Sequence, residues 1–197
     1  MRINASMIEE AIKQLKLGKL VAIPTDTVYG VVCDASNSQA IEKLYAMKAR
    51  PTGRPFQVLV NSMRMAESLA KFSEGAANIA EEFWPGPLTL VQPIRSNKII
   101  DYAVCGNLYT IGLRWPKHEL ICEIIDKLGS PLAASSVNTA GEMPLKTARE
   151  IRNEFPNLYV IEGDVGSTAS TVAELKDGNL IMYREGAIAR RQLEKWL

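Results

Sequence analysis

Leu20-Val21-Ala22-Ile23-Pro24-Thr25-Asp26-Thr27-Val28-Tyr29-Gly30 joins an apolar run to a polar one with no spacer between them. Leu20–Ile23 reads as a buried strand. The residues that follow bring three hydroxyl side chains, one carboxylate and a flexible glycine to its carboxyl end. In open α/β sheets, ligands bind beyond the carboxyl ends of strands. Polar side chains crowded there are therefore candidates for a site, although the same residues also suit a capped strand end with a turn.

Working outward, Ser6-Met7-Ile8-Glu9 has the capping-box pattern, and Met7, Ile8, Ala11, Ile12 and Leu15 follow at helical spacing up to Gly18. On the other side a helix is predicted from near Ser38, with Ile41, Leu44 and Tyr45 on its apolar stripe. Lys48 falls on that same stripe one turn further on, and Pro51 stops the helix. Phe56–Val60 reads as a strand, 62–71 and 74–83 as helices, Phe83-Trp84-Pro85-Gly86-Pro87 as a rigid turn, and Leu88–Gln92 as a strand.

Tyr109–Arg114 alternates as a strand, Lys117–Leu128 is a helix ended by Gly129, and Pro131–Ala134 is a short strand. A polar loop spans Ser135–Gly141. Thr147-Ala148-Arg149-Glu150 is a second capping box, and Leu158–Ile161 is a strand. Ser170–Leu175 and Leu180–Arg184 form a hairpin around Asp177-Gly178. A final helix, Ala189–Trp196, packs Leu193 and Trp196. No repeat, low-complexity tract or linker interrupts the chain. The expectation is one α/β domain over residues 1–197, an open, twisted, mixed β-sheet flanked by helices.

The 197 residues suffice for a sizeable core, and the 47% hydrophobic and 23% charged contents are those of ordinary globular domains. The net charge of +1 means that any basic surface is local. No apolar run approaches the ~20 residues needed to span a bilayer. Met1-Arg2-Ile3-Asn4 leads into an amphipathic helix rather than a signal peptide, so a cytoplasmic protein without a membrane partner is expected. Cys33, Cys105 and Cys122 are odd in number and widely spaced, which indicates neither a disulfide framework nor a zinc site. They read as small buried apolar residues. His118 is the only histidine and falls in the first turn of a helix, which excludes a multi-histidine metal site.

Five cations sit at element ends or in loops: Lys48, Arg50, Arg54, Arg114 and Arg184. Lys48 and Arg50 at a helix C-terminus either complement the helix dipole or clamp an anion. Arg114 and Arg184 each end an apolar strand, where they either snorkel to water or converge on one pocket. Ser135, Ser136, Asn138 and Thr139 supply neutral donors and acceptors, as does Gly163–Thr171. Such loops with several cations suit a phosphate and a small polar metabolite, without a covalent nucleophile. GxxxxGK[ST], GxGxxG, GxSxG and HExxH are all absent.

The chain resembles the YrdC/TsaC family, the threonylcarbamoyl-adenylate synthases, from about Ile12 to Ile188. Seven blocks stand in order: Pro24–Gly30; Lys48-Ala49-Arg50-Pro51; Phe83–Thr89; Gly112-Leu113-Arg114-Trp115-Pro116; Pro131–Asn138; Ser170-Thr171-Val172; and Arg184–Ile188. The resemblance implies a YrdC-like fold with a basic cavity. It implies a nucleotidyltransferase that joins L-threonine, bicarbonate or carbon dioxide, and ATP with Mg²⁺ into threonylcarbamoyl-AMP and pyrophosphate. A downstream complex then transfers the threonylcarbamoyl group to tRNA.

Carried over position by position, Lys48 and Arg50 are the implied catalytic residues. The implied nucleotide contacts are these two with Arg54, Ser136, Asn138, Pro144 and Arg184. Thr27, Arg114, Ala134 and Ser170 are the implied threonine contacts, and no protein metal site is implied. The chain departs from many relatives at Arg54, where they carry Asn or Lys, and at Leu59, where some longer ones carry histidine. It also lacks the extra C-terminal domain of those longer relatives. Two other readings stand beside the synthase: an RNA-binding module, with weak RNA binding as a possible partner interaction, and a divergent paralogue handling other carbamoyl or nucleotide chemistry.

Overall fold

Alternation of side chains along the strands sorts this chain into two packed layers and one open floor. The computed structural model describes residues 5–96, 99–139 and 142–196. The elements run α1 (Ala5–Lys16), β1 (Val21–Ile23), β2 (Gly30–Asp34), α2 (Ser38–Met47), β3 (Gln57–Leu59), α3 (Met63–Leu69), α4 (Glu74–Phe83) and β4 (Leu88–Pro93). After a 3-10 turn at Tyr102–Cys105 come β5 (Thr110–Arg114), α5 (Glu119–Leu128), β6 (Leu132–Ser136), α6 (Ala148–Glu154), β7 (Tyr159–Val160), β8 (Thr171–Lys176), β9 (Asn179–Arg184) and α7 (Arg190–Leu193). A short 3-10 turn, Glu194–Trp196, follows.

All nine strands join one mixed sheet in the order β7-β1-β2-β6-β3-β5-β4-β8-β9. One face carries Val58, Leu90, Ile111, Leu113, Ala133 and Ala173, and it packs on α2, α3, α4 and α6 through residues such as Leu44, Leu69, Ile79 and Ile151. The other face is covered only in part. There α1 and α5 lay Ile12, Leu15, Ile121 and Ile125 over Val21, Val32, Leu59 and Leu132. Beyond them, the floor formed by β3, β5, β4 and β8 is left open.

Local chemistry accounts for the element ends. Asn37, Ser62, Ser73 and Thr147 each accept a backbone N–H from the first turn of α2, α3, α4 and α6. Gly129 ends α5 in the left-handed region. Asp177 and Gly178 both take positive φ, 51° and 75°, which matches the twist of a tight hairpin between β8 and β9.

Several expectations change. Helix α1 already includes Ala5, so Ser6 lies within it instead of capping it. Gly30–Asp34 is a strand where none was expected, because it is almost wholly buried and shows no polar alternation. Strand β6 runs two residues further than expected and takes in Ser135 and Ser136. Helix α2 ends at Met47, before Pro51; Lys48 caps it and Ala49 turns the chain with φ 43°. His118 precedes α5 as its N-cap, without a capping side-chain bond. Cys33 and Cys105 are buried, Cys122 only half so. Leu193 is buried, whereas Trp196 remains 37% exposed. Met1–Asn4, and Ala140 and Gly141 of the polar loop, lie outside the described residues. No helix among the described residues is long and apolar enough to cross a membrane.

Candidate active site

The open floor bounds a cavity of about 490 Å³. Gln57, Thr89, Val91, Thr110, Gly112 and Arg114 point into it from β3, β4 and β5. The neighbours Val58, Leu90, Ile111 and Leu113 point the other way, into the core. Period-two alternation thus makes one strand serve both core and site. Walls come from the 26–28 loop, the 50–56 segment, the end of β6, and Ala169, Ser170 and Arg184.

Arg114 is the largest fully buried side chain, only 2% exposed. Its Nη2 pairs with Asp26 Oδ1 at 2.5 Å, its Nη1 donates to Thr27 Oγ1 at 2.9 Å, and its Nε donates to Gly86 O at 3.1 Å. Burial lowers its pKa and Asp26 opposes that shift. Thr27 is itself held, with its N–H donating to Thr25 Oγ1 at 3.0 Å and the two hydroxyls 2.9 Å apart. Asp26 Oδ2 and His118 Nδ1 are buried without a partner. Burial pushes the His118 imidazole below its usual range, while Asp26 pulls it back up. Gly166 presses on this loop: a Cβ there would lie 2.5 Å from Asp26 O and 2.8 Å from Thr27 O.

A second group runs across the floor. Arg184 Nη2 donates to Ser170 Oγ and its Nε to Ser170 O, both at 2.9 Å. Ser170 Oγ lies 3.1 Å from Thr89 Oγ1, which donates to Gln57 Oε1 at 2.9 Å. Burial lowers the pKa of Arg184, and Arg114 and Arg50 lower it further. Three guanidinium groups, from the loop after α2, from β5 and from β9, therefore act on one space. Gly186 lets the chain just after Arg184 close on the Ala169–Ser170 backbone, since a Cβ there would meet Ala169 O at 2.3 Å.

Arg50 stacks over the Phe56 ring at 5.0 Å, and its Nη2 donates to Pro55 O at 2.7 Å. Lys48, only 4% exposed, is turned away from the cavity. Its Nζ donates to Ser136 O at 2.9 Å, Asn138 O at 2.5 Å and Asn138 Oδ1 at 2.6 Å. Burial pushes its amine down to about 8, with Arg50 adding to the shift. Ser136 Oγ also donates to Asn138 Oδ1, at 2.7 Å.

Of the residues singled out in the sequence, Thr27, Arg50, Arg114, Ala134, Ser136, Pro144, Ser170 and Arg184 line the cavity. Lys48 and Asn138 instead form a bonded pair behind the Ser136 wall. Arg54 is exposed outside the lining, with its carbonyl taken by Tyr45 and Arg50. Gln57 and Thr89 were not singled out by sequence. The available signal was a polar residue at alternate positions of two apolar strands.

The Sua5/YciO/YrdC family model, described as "Telomere recombination", matches residues 13–186. A threonylcarbamoyl-AMP synthase of Pyrococcus abyssi is 33% identical over 98% of this chain and 58% of its own length. One from Photobacterium profundum is 29% identical over 86% of this chain and 93% of its own. The crystal structure of P. abyssi Sua5 complexed with L-threonine superposes with a TM-score of 0.92 at 32% identity, covering 100% of this chain and 59% of that one. The chain therefore spans just under three fifths of the Pyrococcus protein. The family match over residues 13–186 and the shared fold show that this chain belongs to the Sua5/YciO/YrdC family.

Proposed function

We propose that the protein is an L-threonylcarbamoyl-AMP synthase, a nucleotidyltransferase acting on L-threonine, bicarbonate or carbon dioxide, and ATP. The convergence of Arg50, Arg114 and Arg184 on one cavity with a hydroxyl-lined floor carries this reading. That set suits an amino acid carboxylate at one end and a triphosphate at the other. The relatives named as threonylcarbamoyl-AMP synthases, and the P. abyssi Sua5 structure complexed with L-threonine, support it.

Arg114, already oriented by Asp26 and Thr27, receives the threonine carboxylate, with Ala134 and Ser170 beside it. Arg50, Arg184, Ser136 and Pro144 hold the nucleotide. The threonine amine adds to bicarbonate and expels water, giving a carbamate that is already anionic. A carbamate oxygen attacks the α-phosphorus of ATP, and the bond to the β-phosphate oxygen breaks to release pyrophosphate. Chemistry of this kind needs in-line placement and fixed positive charge more than a general base. Among the described residues no three His, Cys, Asp or Glu are grouped to hold a metal. Mg²⁺ brought in with ATP would neutralise charge on the phosphates. Lys48 and Asn138 act from behind by fixing the Ser136 wall. The product passes to a separate tRNA-modifying transfer complex.

The test is pyrophosphate release from ATP and Mg²⁺, with threonine and bicarbonate each present or omitted. Release that requires both is expected. Release without threonine would assign a different acceptor, and silence with all four components would refute the synthase reading.

A further inference from the structure

The floor of the cavity carries a hydrogen-bond line with one possible direction. Gln57 Oε1 only accepts, so Thr89 must give it its hydroxyl proton. Thr89 Oγ1 can then only accept from Ser170, and Ser170 accepts in turn from Arg184 Nη2. Every proton points away from Arg184, and the line ends at the Gln57 amide. Its nitrogen makes no protein hydrogen bond among the described residues, and Gln57 borders the cavity. Gly112 keeps the path open: it pairs with Gln57 across β3 and β5, and a Cβ there would crowd Thr89 Cγ2 at 3.3 Å. The side chains of β3 and β4 thereby meet over the strand between them.

The place of this amide is defined by its own strand. Pro55 O holds Arg50, and Leu59 pairs with Arg114 in the sheet. Gln57 stands midway, about 7 Å along the strand from each at ~3.3 Å per residue. We propose that Gln57 is a catalytic residue that donates from its amide nitrogen to a carbamate oxygen, holding the one-carbon unit between the amino-acid subsite at Arg114 and the phosphate subsite at Arg50. The inference rests on the synthase reading above. The two arginines are matched to the charges at the ends of the reacting assembly, and the group between them needs a neutral donor of fixed direction. A third cation there would stabilise the carbamate before attack and blunt its nucleophilicity.

Steady-state pyrophosphate release in degassed buffer, with bicarbonate, threonine and ATP varied in turn, tests this. Gln57→Leu keeps the volume and removes both donors. Its kcat/KM for bicarbonate is expected to fall roughly ten- to a hundredfold, with threonine and ATP dissociation constants within about twofold of wild type. Thr89→Val frees the amide to rotate and should lower the same parameter about three- to tenfold, while Thr89→Ser should not. An active wild type with an unchanged bicarbonate dependence in Gln57→Leu, or threonine and ATP dissociation constants that rise as far as the bicarbonate dependence falls, would overturn the role of Gln57 alone. A Gln57→Leu protein that does not fold leaves the decision to Thr89→Val, where a wild-type bicarbonate dependence overturns it. A silent wild type would remove the synthase reading and this role together.

Discussion

Arg114→Met is expected to destabilise the fold by about 3–5 kcal/mol and to abolish measurable threonine binding. The guanidinium is 2% exposed and its partner carboxylate 14%. Removing the cation leaves Asp26 charged and enclosed, with Oδ2 already lacking a partner. Breaking one side of such a pair costs more than removing both, because the survivor cannot return to water. In a protein of this size the loss lowers the unfolding midpoint by about 6–20 °C. The double variant Asp26→Asn/Arg114→Met should recover most of that midpoint and none of the threonine affinity. Calorimetric titration and thermal melts of the three proteins separate the two roles. A single variant that melts with wild type, or still binds threonine, would refute the assignment.

Lys48→Met should reduce pyrophosphate release roughly a hundredfold or more, although Lys48 does not line the cavity. Two backbone carbonyls, those of Ser136 and Asn138, lose their charged donor, and the wall that shapes the nucleotide side loses its brace. Stability responds differently, and with a definite pH dependence. The amine is pushed from 10.5 down to about 8 by burial, so the unfolded chain binds this proton more tightly than the folded one. Below about pH 8 the penalty of enclosing the cation is present in full. Between about 8 and 10.5 the unfolded state holds more protons, and wild-type stability gains with rising pH. Denaturant melts at about pH 7 and about pH 10 should show wild type gaining on Lys48→Met. A wild type that does not gain on the variant between these two pH values would mean the lysine is not titrating as its burial requires.

Element existence was legible in the chain wherever periodicity met a stop signal. Thr147–Glu150, Gly129 and Asp177-Gly178 each name their element through one local interaction, and each stands where expected. β2 was not legible because Val31, Val32 and Cys33 are all buried, which removes the alternation that marks a half-buried strand. Ser135 and Ser136 look like loop residues, since hydroxyls favour turns, yet their strand pairs with β2 in full register. Of the candidate site, Arg114 and Arg184 border one cavity, one of the two outcomes their places at strand ends left open. The Lys48 stripe was visible, but which acceptors a buried amine meets depends on residues 88 and 90 positions away. The Gln57–Thr89 contact crosses an intervening strand, so no spacing along the chain encodes it.

One sheet with a half-finished roof has an uneven resistance to opening. Under α1 and α5, the strands β1, β2 and the start of β6 are sealed on both sides. Strands β5, β4 and β8 are sealed on one side, and their other side meets the cavity. Backbone amides of the sealed half should exchange with solvent only when the whole molecule unfolds, and those of the open half through smaller local events. Under the proposed function, bound substrates would serve as the missing layer, so that occupancy would stiffen one half of a continuous sheet while leaving the other as it was.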